Sequence, residues 1–101
     1  MKKTLVAIGE LNIPRLEHKS QGEGATISAQ GDTEDFLWHV EFTLDDGTTW
    51  SKIKDNVGDT DFTGSDVKYI ALDSLTASDK QTRISVSDMG TATQVIVAYS
   101  L

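Results

Sequence analysis

The side chains able to do chemistry in this 101-residue chain are two histidines, sixteen acids and a large set of hydroxyls, with no cysteine. The missing thiols exclude cysteine nucleophiles, disulfides and thiolate metal sites. Histidine with serine and aspartate suggests nucleophilic catalysis, yet no G-x-S-x-G elbow occurs and a chain this short has little room for a cleft. A phosphate-cradling glycine loop must open into a helix, and the chain signals none. Carboxylate pairs are plentiful, but no groove lined by aromatics accompanies them, so glycoside hydrolysis is not indicated. His18 lies in a charged, glycine-flanked region. His39 falls on the polar side of an aromatic strand and is expected at the surface. The chain is expected not to be an enzyme.

Sixteen acids against nine Lys and Arg give a formal net charge of −7 and a pI near 4.5. Nucleic-acid affinity comes from cations that displace phosphate counterions, so DNA, RNA and anionic membranes are poor partners. Asp32, Glu34, Asp35, Glu41, Asp45 and Asp46 form one stretch without Lys or Arg, and Asp55, Asp59, Asp61 and Asp66 another. Such acids keep sheet edges apart and soluble, or dock onto a basic surface. A third reading is calcium, because Asp59-Thr60-Asp61 places oxygens at alternate positions ahead of Gly64. Phe62, and Ile70 where an EF-hand has its twelfth-position Glu, depart from that pattern. Asp55, Asp59 and Asp61 are left as candidate ligands beside the competing reading, an acidic turn. No cofactor is expected. No apolar run approaches the length that crosses a bilayer as a helix, and Met1–Gly9 lacks the cleavage site of a signal peptide.

The elements that must position these groups read as short strands. Phe36, Trp38, Val40, Phe42 and Leu44 recur with a period of two, which puts five large apolar side chains on one face. Asp45-Asp46-Gly47 supplies a turn, and Thr48–Lys54 reads as the returning strand. Lys3–Ile8, Leu11–Glu17 (an edge or irregular stretch because of Pro14), Ala25–Gln30, Val67–Leu72, Thr82–Ser87 and Thr91–Leu101 complete the set. Asp73–Lys80 reads as a loop. Twelve Thr and nine Ser add β-propensity. The expectation is a single all-β domain, an antiparallel β-sandwich or jelly roll of seven to eight short strands.

Thr43-Leu44-Asp45-Asp46-Gly47-Thr48-Thr49-Trp50 resembles the aspartic-acid box of sialidases. In that motif the Asp accepts turn amides, the Gly takes the left-handed conformation and the Trp packs back over the hairpin. The resemblance assigns those structural roles to Asp45, Gly47, Thr49 and Trp50. It does not extend to sialidase activity: there is one copy, and Arg15 and Arg83 are the only arginines where those enzymes use three. From about residue 22 to 101 the order of segments is similar to the small all-β virion proteins of tailed bacteriophages. Those segments are Gly22–Ser28, the V-E-F-T-L-D-D-G-T-T-W hairpin, Lys54-Asp55, Phe62-Thr63-Gly64, Val67–Leu72, Arg83–Ser87 and the final strand. Residues 1–20 lie outside the resemblance, as an extra strand or a docking arm.

That resemblance implies a non-enzymatic virion structural protein, most of all one that decorates and stabilises a capsid. It would be located in the virion, act as a homo-oligomer and contact other proteins of the shell. The alternative is a carbohydrate- or receptor-binding module of a phage tail. For that reading Tyr69 and Tyr99 are the ligand-contact candidates, followed by Trp50 and Phe62, because Phe36, Trp38 and Phe42 read as core.

Overall fold

In the aromatic segment the alternation becomes a strand with one buried and one outward row. A computed structural model of the chain describes residues 2–13, 24–55, 57–71 and 81–100. Every regular element among them is a strand: β1 Lys2–Leu5, β2 Gly9–Ile13, β3 Gly24–Gly31, β4 Leu37–Thr43, β5 Ser51–Lys52, β6 Phe62–Thr63, β7 Asp66–Ala71, β8 Gln81–Asp88 and β9 Val95–Ser100. They form two antiparallel sheets, ordered β1-β9-β3-β7 and β2-β8-β4-β5, with β6 pairing the far end of β4. If β5 and β6 are counted as one interrupted edge strand, the orders become 1-8-3-6 and 2-7-4-5. This is jelly-roll connectivity, within the all-β sandwich class that the alternation predicts.

The core lies between the sheets. Ile27 and Ala29 of β3, Val95 and Val97 of β9, and Ile70 of β7 face Trp38 and Val40 of β4 and Ile84 and Val86 of β8. Phe36 is buried just ahead of β4, while Phe42 is only partly buried and Leu44 is 56% exposed, because β4 runs out of the sandwich there. Trp38 donates its indole N–H to Gly64 O at 2.9 Å and meets the Phe62 ring edge-on at 4.7 Å, so its one polar atom is satisfied inside the core.

Several strands are shorter than the sequence predicts. The returning strand Thr48–Lys54 contracts to Ser51–Lys52, since the Thr48 and Thr49 amides bond to Asp45 and a second loop begins at Asp55. The first strand ends at Leu5, and 6–8 turn the corner into the second sheet. Lys2–Ile13 is therefore not a detached arm: it supplies β1 to one sheet and β2 to the other. The last strand begins at Val95 rather than Thr91. β8 carries a bulge where Leu37 pairs Asp88 and Trp38 pairs Val86. His18, Arg15, Asp73–Lys80 and Leu101 lie outside the described residues.

At one end of the sandwich three carboxylates tie the connectors together. Asp32 accepts from Thr93 N at 2.9 Å and from the Thr93 hydroxyl. Asp35 accepts from Thr91 N at 3.0 Å and from the Thr33 and Thr91 hydroxyls at 2.9 Å. Glu34 accepts from Ser65 N at 3.2 Å and Ser65 Oγ at 2.6 Å. These bonds hold the Asp32 and Asp35 carboxyls below their ordinary value, led by the Thr93 hydroxyl and the Thr91 amide respectively. The Glu34 to Asp35 backbone is approached so closely that Gly64 and Gly90 both sit at positive φ with an ideal Cβ only 2.7 Å from it.

Candidate functional site

The hairpin after β4 is built around one carboxylate. Asp45 Oδ1 accepts from Thr43 Oγ1 at 2.7 Å and from Thr49 N at 2.8 Å. Thr43 Oγ1 in turn accepts from Asp45 N at 3.3 Å and Gly47 N at 3.0 Å. Asp46 at φ 58° and Gly47 at φ 93° reverse the chain. Trp50 folds back and donates its indole N–H to Gly47 O at 3.0 Å. Asp45, Gly47, Thr49 and Trp50 thus meet in one turn. The bonds from the Thr43 hydroxyl and the Thr49 amide hold the Asp45 carboxyl below its ordinary value.

Behind the hairpin lies a polar layer on the outward face of the second sheet. Contrary to the surface position expected, His39 is buried, at 6% exposure, as are Glu41 and Ser85. His39 Nε2 and Glu41 Oε2 are 2.8 Å apart, and Arg83 Nε donates to Glu41 Oε1 at 2.6 Å. Burial by itself would raise the Glu41 carboxyl, but the bonds and charges of His39 and Arg83 outweigh it and leave it lowered. An ionised carboxylate only accepts, so His39 Nε2 carries the proton. The Arg83 guanidinium stacks 3.6 Å from the Trp50 ring centre and lies 3.8 Å from Glu10. Arg83 therefore joins β2, β4, β8 and the hairpin. Sequence reasoning missed this cluster, because its partners are 42 residues apart. The available signal was the alternation of Arg83, Ser85 and Ser87 with Ile84 and Val86.

The calcium candidates do not converge. Asp55 is buried and its Oδ1 accepts from Val57 N at 3.0 Å and Asp59 N at 2.9 Å, closing its own loop. Asp61 instead pairs with Lys52, whose hydrogen bond heads the causes that lower its carboxyl. Among the described residues no three His, Asp or Glu are placed to hold a metal ion.

The aromatic candidates are also dispersed. Tyr69 pairs with Thr26 and is on the outer face of the first sheet, whereas Tyr99 pairs with Ile27 and packs against the core from the inner face. Phe62 is buried against Trp38, at 3% exposure, and is not a surface platform. A shallow cavity of about 290 Å³ opens beside the hairpin, lined by Phe42, Leu44, Asp45, Thr49 and Ser51. No family model, curated protein or solved structure matches the chain.

Proposed function

We propose that the chain is a non-enzymatic structural protein of a phage virion, one that decorates the capsid surface in many copies. The observation that carries this reading is the use of Asp32, Glu34 and Asp35. They join three connectors into one end of the sandwich. A rigid acidic block of this kind suits attachment to a shell, where catalysis is not required and pre-ordered contacts lower the entropic cost of binding. Val6 and Ile8 at the corner between the sheets are 77% and 66% exposed, and Val67 on the outer face 62%. They offer aliphatic contacts beside the acidic surface. Fold alone assigns no function, and the reading rests on these contacts together with the sequence resemblance.

Purified protein added to capsids assembled without it tests the reading. Saturable binding that weakens as salt rises is the expected result, since acidic loops meeting a basic shell are screened by ions. No binding at any salt concentration would refute it.

The cavity beside the hairpin favours a second reading, a carbohydrate- or receptor-binding module, because it joins apolar Phe42 and Leu44 to the polar Asp45, Thr49 and Ser51. Retention on immobilised glycans that disappears in Leu44→Asp would support it. Retention unchanged in that variant would exclude this cavity as the site.

A further inference from the structure

We propose that Asp46–Gly47 is a site of spontaneous aspartate isomerisation, held latent by the Thr43 hydroxyl. The chain contains this one Asp-Gly pair and no Asn-Gly. With no side chain on the following residue, the peptide nitrogen of an Asp-Gly unit reaches the aspartyl carbonyl carbon with little hindrance. The Gly47 nitrogen loses its proton and forms a bond to Asp46 Cγ, and the carboxyl oxygen leaves as water. The resulting succinimide then takes up water at either carbonyl. One opening restores Asp46; the other routes the backbone through Cβ and inserts a methylene into the chain. Water is the sole co-reactant, and it is lost and regained in equal amount.

The hairpin opposes the first step. Gly47 donates its N–H to Thr43 Oγ1 at 3.0 Å, so the attacking nitrogen is tied to the opposite side of the turn. The Asp46 carboxylate is directed toward Gln81, whose Nε2 lies 3.4 Å from Oδ1. Asp46 is nevertheless exposed and at positive φ. Its protection therefore depends on local hydrogen bonds rather than on burial, and it disappears whenever the turn opens. Isomerisation would also disturb the hairpin beyond Asp46: the extra methylene displaces Gly47 O, to which the Trp50 indole is bonded, and with it the face on which Arg83 stacks.

The test follows isoaspartate over weeks at 37 °C and mildly acidic to neutral pH, by fragmentation of the tryptic peptide Ser20–Lys52. The folded protein, its Thr43→Val variant and a synthetic peptide spanning Glu41–Lys52 are compared. The peptide is expected to isomerise at Asp46, the folded protein at least about tenfold more slowly, and Thr43→Val several-fold faster than the parent. Amide spectra establish that the variant keeps its sandwich. If it does not, Gln81→Ala and the comparison of peptide with parent protein remain decisive. Equal rates in peptide and folded protein would overturn the proposal. So would a folded Thr43→Val that isomerises no faster than its parent.

Discussion

Trp38 is the largest of the fully buried side chains among the described residues, bonded to Gly64 O and in contact with Phe62. Trp38→Ala is expected to lower stability by about 3–5 kcal/mol, measured by denaturant unfolding; a loss under about 1 kcal/mol would contradict its burial. Arg83 joins the polar layer to the hairpin. Arg83→Gln leaves the buried Glu41 carboxylate with His39 alone and removes the stack on Trp50, so a loss of about 1.5–3 kcal/mol is expected in the same assay. An unchanged midpoint would mean that solvent replaces the guanidinium. The inward row of β4 was legible in the sequence because period-two alternation needs nothing beyond neighbouring residues. The burial of His39 and Glu41 was not, since it follows from cross-strand pairing of β4 with β8, which alternation does not encode.

Among the elements, strand positions were legible and strand ends were not. Side-chain hydrogen bonds decide the ends. Asp45 claims the amides that would have extended β5 toward its start, and Asp55 those beyond Ile53. The edge of β4 is consequently shared by β5 and β6, an arrangement with no signature in either two-residue segment. The connectors meet with equally little spare room. At Gly64, φ is +74° and an added Cβ would stand 2.7 Å from Glu34 O. Gly64→Ala is expected to cost about 1–3 kcal/mol and to shift the amide resonances of Glu34 and Ser65 together. A shift confined to residue 64 would show that the two connectors move independently.

For the whole molecule, charge sets the response to pH. Asp32, Asp35, Glu41, Asp45, Asp61 and Asp66 are all lowered from the ordinary values of 3.8 for Asp and 4.5 for Glu. Each binds a proton less readily in the folded than in the unfolded chain. Their stabilisation is therefore complete above the ordinary carboxyl values and is lost as pH falls through the lower folded values. Acidification also relieves the self-repulsion of a net charge of −7, an opposing effect that salt screens. In physiological salt the melting temperature is expected to hold nearly level from neutral to about pH 5 and then to fall as pH drops through 4 toward 3. A flat or rising profile would mean that repulsion outweighs the carboxylate bonds.

The central claim is assembly into a virion, and the most direct measurement is copy number by quantitative mass spectrometry of purified particles. The peptides Asp55–Lys68 and Ile84–Leu101 are suitable reporters, bounded by tryptic sites or the chain end. A copy number approaching that of the major capsid subunit is the expected result. Absence from the particle would contradict the account, and a handful of copies per particle would contradict capsid decoration in favour of a place in the tail.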